Sequence, residues 1–213
     1  MADDRARAMA LVPVSREIAA RLDRFVALLL QWQTRINLIA PSTIPAIWTR
    51  HIADSLQLLE LAPQAKCWVD LGSGGGFPGI PIGCALADVA GATVHLVESN
   101  AKKAAFLREA VRHIGAPAIV HPVRIEEFMR NFSERPDVVT ARALAPLQDL
   151  LALAEPLLKT GAKGLFPKGQ DVDAELTLAS KCWSMQMELV PSKTDPRARI
   201  VVVDGLRRRS ESK

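Results

Sequence analysis

The sequence predicts an α/β fold: a mostly parallel β-sheet covered by helices on both faces, preceded by an N-terminal helical extension. From residue 67 onward, short apolar runs alternate with helical stretches, the pattern of a parallel sheet. Two further apolar runs near the end lie close together, which predicts a terminal antiparallel strand. The 213 residues suffice for one α/β domain and an extension. We therefore divide the chain into a helical extension, 1–62, and one compact domain, 63–213.

Two helices are predicted in the extension. Residues 15–32 carry apolar side chains at spacings of three and four, which is the period of an amphipathic helix. Residues 37–41 interrupt that pattern, and residues 43–61 resume it. The apolar positions that define the second helix are Ile47, Ile52, Leu56 and Leu59.

The domain begins with the first predicted strand, and strands and helices alternate from there. The predicted strands are 67–71, 93–97, 119–120, 137–140 and 164–166. The helices between and after them are predicted at 79–87, 102–113, 146–158 and 175–181. The final pair of strands is predicted at 188–191 and 200–203.

The net charge of +4 is unevenly distributed along the chain. Residues 159–213 hold eleven Lys and Arg against seven Asp and Glu. A positive excess of this kind suits a surface that faces a polyanion, although a solvated basic tail at 207–209 explains it equally well.

The cysteines and the apolar runs indicate a cytoplasmic protein. Cys67, Cys84 and Cys182 lie far apart and form no CxxC pair, which disfavours a zinc ribbon and predicts reduced thiols. The longest uninterrupted apolar run, 25–30, is too short to span a bilayer.

The most informative motif is the segment 69–79, VDLGSGGGFPG, which follows the first strand and opens a helix. Glycines there allow a tight turn and let a ligand approach the backbone closely. Gly74, Gly76 and Gly79 fit the dinucleotide pattern GxGxxG, but a lone match is weak. Counting instead from Gly72, the first glycine after the strand, places Phe77 where the third glycine belongs.

S-adenosylmethionine suits this loop better than a nicotinamide dinucleotide. Asp70 before the loop and Glu98 after the second strand supply acidic groups that can hold ribose hydroxyls in either cofactor class. Chain length favours S-adenosylmethionine, because a dehydrogenase needs a further catalytic domain and only one α/β domain fits. A nicotinamide cofactor and a glycine turn without a ligand remain the alternatives.

The residues narrow the methyl acceptor by elimination. Residues 140–144, TARAL, lack the Asn/Asp-Pro-Pro-aromatic motif common in methylation of exocyclic amines, and no cysteine is placed as a nucleophile. Guanine N7 needs neither device, because its lone pair is free and the enzyme has only to position it and exclude water. We therefore expect no catalytic acid or base. We also expect no metal, because the chain has no CxxC pair and a metal site built on the single candidate histidine, His51, is improbable.

Polar residues near the carboxyl ends of the strands and on the second helix are candidates for contacting RNA: Arg50, His51, Asp54, Arg142 and Lys168. Taken singly, each also fits a solvated or structural role, and His51 and Asp54 could pair with each other on one helix. Residues 124–128, RIEEF, could meet an adenine, but the residues alone favour an ordinary helix start.

Together these segments resemble the bacterial 16S rRNA guanine-N7 methyltransferases, once called glucose-inhibited division protein B. The most specific part is the glycine loop ending in FPGIP, preceded by a His-Ile-x-Asp-Ser segment. The matching segments cover about residues 25 to 176: QWQ at 31–33, INL at 36–38, RHIADSL at 50–56, DLGSGGGFPGIP at 70–81, RIEEF at 124–128, RA at 142–143 and KGQ at 168–170.

The resemblance implies a Rossmann-like class I methyltransferase sheet, S-adenosylmethionine as the cofactor and an acceptor guanine in the decoding-region loop of 16S rRNA. It implies cofactor contacts from Gly72, Phe77, Ile125, Glu126 and Arg142. Two further candidates come from position alone: Gly74 lies in the glycine loop, and Glu98 follows the second predicted strand. Family members often carry Asp where Glu98 stands; the longer side chain still reaches a ribose.

The expected partner is 16S rRNA, alone or within a small-subunit assembly, and nothing in the sequence requires more than a monomer. A methyltransferase of the same fold that acts on a small molecule or a protein is the principal alternative. An RNA-binding protein with a vestigial cofactor pocket is a third.

Overall fold

The structure is a computed structural model, and it describes residues 2–209. Within these residues, seven strands form one sheet: β1 Cys67–Leu71, β2 Thr93–Val97, β3 Ala118–His121, β4 Val138–Thr140, β5 Lys163–Lys168, β6 Trp183–Pro191 and β7 Arg199–Arg208. Their order across the sheet is β3-β2-β1-β4-β5-β7-β6. The first five strands run parallel, β7 is antiparallel to β5, and β6 is antiparallel to β7. The predicted fold class is confirmed.

The helices cover both faces of the sheet. They are α1 Ala2–Leu11, α2 Arg16–Gln33, α3 Asp54–Leu56, α4 Gly79–Leu86, α5 Ala101–Ile114, α6 Ile125–Asn131, α7 Leu147–Leu158 and α8 Val172–Cys182. The short helix α3 is part of an irregular segment, 41–61. No helix within residues 2–209 is long and apolar enough to cross a membrane.

Alternate residues of the parallel strands face two separate hydrophobic cores. Trp68, Val94 and Val138 pack with α2, α4 and α5, while Val69 and Val139 pack with α6, α7 and α8. Burial on both faces explains why these strands read as continuous apolar runs rather than alternating ones. The N-terminal helices share the first core with the sheet. The division of the chain into a helical extension, 1–62, and a compact domain, 63–213, remains a prediction. Residues 210–213 of that domain lie outside the residues that the structure describes.

The segment 43–61 is not the single regular helix that its apolar spacing predicts. A 3₁₀ turn, Pro41–Ala46, leads into a π-helical turn, Trp48–Ala53, then α3 and a second 3₁₀ turn, Gln57–Leu61. Pro45 contributes to this irregularity, because it cannot donate a helical hydrogen bond. The apolar side is nevertheless buried as expected at Ile47, Ile52 and Leu56.

The two ends of the chain also differ from the sequence expectation. Helix α1 lacks a strong apolar stripe and was not predicted; it is held by an ion pair from Arg5 to Asp23 and by Asp4, which accepts the Trp48 N–H. Strands β6 and β7 extend well beyond 188–191 and 200–203. Strand β6 is the edge of the sheet, and in its first half the buried Trp183 and half-buried Met185 alternate with exposed Ser184 and Gln186. This two-residue alternation was not recognised in the sequence.

Candidate active site

A cavity of about 1040 Å³ opens at the carboxyl ends of the parallel strands, where open α/β sheets bind ligands. Its wall includes the loops that follow β1, β2, β3, β4 and β5, and the segment 38–54 covers one side. Eleven of the twelve residues that the sequence assigned to cofactor or RNA line this cavity, and Asp70 is the exception. The eleven are Arg50, His51, Asp54, Gly72, Gly74, Phe77, Glu98, Ile125, Glu126, Arg142 and Lys168.

The loop after β1 presents bare main chain to the cavity. Gly72 and Gly74 have φ angles of +69° and +55°, a conformation that side chains disfavour. A Cβ at Gly72 would lie 2.6 Å from Leu144 Cδ1, whereas a Cβ at Gly74 would meet only Gly72 O, at 3.7 Å. The Ser73 N–H donates to Val97 O, which ties the loop to β2. The backbone here therefore forms a close-fitting cradle that a side chain would partly fill.

Glu98 is the acidic side chain of this cradle. Its carboxylate accepts the Gly74 N–H at 2.9 Å and the Asn100 N–H at 2.7 Å. Each carboxylate oxygen has a second lone pair, so a ligand hydroxyl can still donate to it.

Asp70, the other acidic candidate for holding a ribose, does not line the cavity. Its side chain is fully buried, and Oδ2 accepts the Gly79 N–H at 3.1 Å. Burial disfavours the charged carboxylate and raises the pKa of Asp70 to about 7. Asp70 therefore holds the start of α4 against β1, and the expectation that it reaches a ribose was wrong.

Arg142 connects the end of β4 to the π-helical turn. Its guanidinium donates to Arg50 O at 2.9 Å and to His51 Nδ1 at 2.6 Å, and it lies 3.5 Å from Asp54 Oδ2. The same group stacks over the Phe77 ring at 5.1 Å from its centroid. One side chain thus joins the N-terminal segment, the glycine loop and the sheet.

His51 is neutral and orients Arg142. Because a guanidinium can only donate, Nδ1 accepts and Nε2–H donates to Thr43 Oγ1 at 2.8 Å. Burial, followed by the nearby charges of Arg142 and Arg50, lowers the pKa of His51 to about 3.

The alternative in which His51 pairs with Asp54 is wrong. Besides approaching Arg142, Asp54 accepts hydrogen bonds from Thr194 Oγ1 at 2.7 Å and from Gln57 Nε2 at 2.9 Å. Asp54 thereby attaches the π-helical turn to the β6–β7 connection.

Lys168 is also held inside the wall. Its side chain is 9% exposed, donates to Ala145 O at 2.8 Å and pairs with Glu175 Oε2 at 2.6 Å. The same carboxylate oxygen accepts the Leu147 N–H at 2.6 Å. These bonds fix the segment 143–146, in which Ala143 adopts a strained φ of +52°.

Arg50 is the candidate RNA contact with the most exposed charge, because its side chain is 51% exposed and pairs with Asp195 at 3.2 Å. Residues 124–128 begin a helix as expected, and Ile125 and Glu126 line the cavity. The sequence did not reveal Thr43 and Thr194 as wall residues. No motif marks them, and only the fold brings them to Arg142 and its neighbours.

The sheet order, the glycine cradle after β1 and the acidic side chain after β2 define a class I methyltransferase. Solved structures with the same fold include an O-methyltransferase from Bacillus cereus in complex with SAH, at a TM-score of 0.60 and 16% identity, covering 96% of this chain and 97% of that one. Another is the O-methyltransferase TomG from Streptomyces achromogenes in complex with SAM, at a TM-score of 0.61 and 12% identity, covering 94% and 95%. Identities this low support the fold alone.

The chain belongs to the family of rRNA small subunit methyltransferase G, whose model matches residues 18–201. A relative of that name from Bradyrhizobium sp. (strain ORS 278) is 60% identical over 210 residues, covering 99% of this chain and 95% of the relative. Another, from Nitrobacter hamburgensis, is 62% identical over 208 residues, covering 98% of this chain and 80% of the relative. The family suggested by the sequence motifs is confirmed.

Proposed function

We propose that this protein transfers a methyl group from S-adenosylmethionine to N7 of a guanine in small-subunit rRNA, in the decoding-region loop. The observation that carries the proposal is the cavity itself, in which a bare glycine cradle and Glu98 adjoin the wall built around Arg142. Membership of the rRNA small subunit methyltransferase G family supports the RNA substrate.

The cradle residues fit an adenosyl cofactor. Glu98 would accept ribose hydroxyls, Ile125 would contact the adenine through its apolar side chain, and Glu126 lies beside it for polar contacts. Gly72 and Gly74 let the cofactor approach the backbone. When bound, S-adenosylmethionine supplies an electrophilic methyl group on a sulfonium.

The remaining cavity residues fit a positioning mechanism. Guanine N7 carries a free lone pair at neutral pH, so no proton has to be removed before attack. The acidic and imidazole groups deep in the cavity are already engaged in bonds within the protein: His51, Asp54, Glu98 and Glu175. We assign His51, Asp54 and Lys168 to shaping the wall that receives the guanine, with Arg142 at its centre.

RNA would approach along the cationic side chains at the cavity: Arg50, Lys103, Arg124 and Arg199. Such groups bind phosphates and set orientation without reading sequence. An rRNA substrate implies action in the cytoplasm, on rRNA alone or in a small-subunit assembly, and the proposal requires only a monomer.

The direct experiment supplies the purified protein with methyl-labelled S-adenosylmethionine and three acceptors: protein-free 16S rRNA, small ribosomal subunits and transfer RNA. Label should enter the rRNA or the subunit and not the transfer RNA. Strand scission directed to N7-methylguanine should then occur at one position.

Two outcomes would contradict the proposal. Transfer to metabolites or proteins with none to rRNA would identify a methyltransferase of the same fold with another substrate. Cofactor binding without transfer to any acceptor would identify an RNA-binding protein with a vestigial pocket.

A further inference from the structure

A cluster of potential metal ligands lies apart from the cavity. Cys67 opens β1, His95 lies in β2, and Glu134 belongs to the connection between α6 and β4. Cys67 pairs with Thr93 and Val69 with His95 in the β1–β2 register, so Cys67 and His95 point to the same face of the sheet. The sequence gives no hint of this meeting, because the three residues are widely separated along the chain.

The distances suit a small cation. The Cys67 Sγ, a His95 ring nitrogen and a Glu134 oxygen all lie within 4.8 Å of one another, and His95 Nε2 is 3.5 Å from Glu134 Oε2. Zinc bound to nitrogen and oxygen at about 2.0–2.2 Å in a tetrahedron separates those ligands by about 3.4 Å. Glu134 is 59% exposed, so its side chain has room to adjust.

His95 is the strongest pointer to a ligand. The residue is 1% exposed, and its Nε2 atom has no hydrogen-bond partner among residues 2–209. Its other ring nitrogen, Nδ1, lies 3.0 Å from His121 Nε2. When Nδ1–H donates to His121, the Nε2 lone pair is directed at the cluster and faces a carboxylate, an arrangement that a cation stabilises.

The surroundings match those of a metal-bound histidine. A ligating imidazole usually donates its second ring N–H to a neighbouring acceptor, and His121 can provide it. Phe132 packs edge-on to His95 at a centroid distance of 4.9 Å and shields one side of the ring. Thiolate, imidazole and carboxylate together form a donor set suited to zinc.

We propose that Cys67, His95 and Glu134 bind one Zn²⁺ ion, with His121 orienting His95 and a fourth position open to solvent beside Glu134. Binding converts the Cys67 thiol to a thiolate and releases its proton to water. The ion would fasten the connection between α6 and β4 to the sheet. This proposal departs from the expectation of no metal, which rested on the missing CxxC pair and on the single histidine, His51, among the candidate site residues.

The test uses the full chain after chelator treatment and titrates it with Zn²⁺ and, separately, Co²⁺. We expect one ion per chain, a thiolate-to-cobalt charge-transfer band in the near-ultraviolet, and a thermal midpoint raised by saturating Zn²⁺. Cys67→Ser should remove the band and weaken Zn²⁺ binding by at least about tenfold.

Cys182→Ser is the matched control, because Cys182 is exposed and lies elsewhere in the fold. This variant should keep both the band and the affinity. If Cys67→Ser fails to fold, Glu134→Gln decides the matter, since it alters an exposed side chain; its far-ultraviolet spectrum should be native and its Zn²⁺ affinity reduced. No binding, or binding that survives Cys67→Ser or Glu134→Gln, would overturn the proposal.

Discussion

At the residue scale, the site depends on the charge states of a few side chains that touch one another. The guanidinium of Arg142 and the neutral imidazole of His51 form a fixed donor–acceptor pair at 2.6 Å. The sequence placed both residues at the site but not against each other, because residues 91 positions apart carry no signal of contact. The pair makes the stability of the protein depend on pH.

We expect His51 to destabilise the protein as the pH falls. Its pKa in the folded protein, about 3, lies below the usual 6.5, so the unfolded chain binds a proton that the native chain does not. The contribution of neutral His51 to the free energy of unfolding is present in full above pH 6.5. Between pH 6.5 and pH 3 it should fall by up to about 1.4 kcal/mol per pH unit. Urea unfolding of the wild type and His51→Gln at pH 7 and pH 5 measures it.

The comparison with His51→Gln separates this residue from other titrating groups. The stability advantage of the wild type should shrink at the lower pH. A difference between the two proteins that is the same at both pH values would show that His51 is not held neutral.

Gly74 offers a matched test of the cradle. Gly74→Ala and Gly115→Ala each place a methyl group on a left-handed backbone, with φ of +55° and +65°, and should each cost about 1–2 kcal/mol of stability. Gly74 lines the cavity, whereas Gly115 caps α5 in open space. Only Gly74→Ala should weaken S-adenosylmethionine binding, by about tenfold or more, in calorimetry. Equal affinities would remove Gly74 from the cofactor site.

At the element scale, regular segments could be predicted and irregular ones could not. Strands β1 to β5 and helices α4, α5 and α7 lie within about two residues of expectation, because continuous apolar runs and glycine or proline boundaries mark them. The π-helical turn has the same apolar spacing as an α-helix, so periodicity could not reveal it. It matters for the site, because it presents Arg50 O and His51 to Arg142.

We expect the main role of Lys168 to be structural: it stabilises the connection between β4 and α7, and RNA binding is not its only role. Lys168→Met leaves the Glu175 carboxylate without its ion-pair partner and frees the Ala145 carbonyl, at a cost of about 1–3 kcal/mol. Combining it with Glu175→Gln should restore part of that loss, as measured by urea unfolding. Full stability in Lys168→Met with a loss confined to RNA affinity would contradict this assignment.

At the scale of the whole molecule, the sheet order brings distant residues to one edge. The carboxyl ends of five parallel strands converge there, and this topology explains why eleven of the twelve predicted site residues line one cavity. Their individual contacts depend on side-chain packing between the N-terminal segment and the β6–β7 connection, which spacing along the chain does not encode. The sequence therefore located the site, but it could not distinguish residues that are buried in the cavity wall from residues that are exposed to a ligand.

The exposed cations around the cavity predict a specific salt dependence. Arg124 is exposed and lines the cavity, whereas Arg112 is exposed on α5 outside it. Arg124→Ala should reduce the slope of log affinity for a 16S rRNA fragment against log salt concentration by about one, since one phosphate contact is lost. Arg112→Ala should leave the slope unchanged. Equal effects would indicate general attraction by net charge.

The identity of the cofactor that the glycine cradle holds is the central question for this site. Isothermal titration calorimetry of the purified chain with S-adenosylmethionine and with a nicotinamide dinucleotide distinguishes the two possibilities. We predict saturable binding of one S-adenosylmethionine per chain and no heat with the dinucleotide. Tight binding of the dinucleotide with no heat from S-adenosylmethionine would contradict the account.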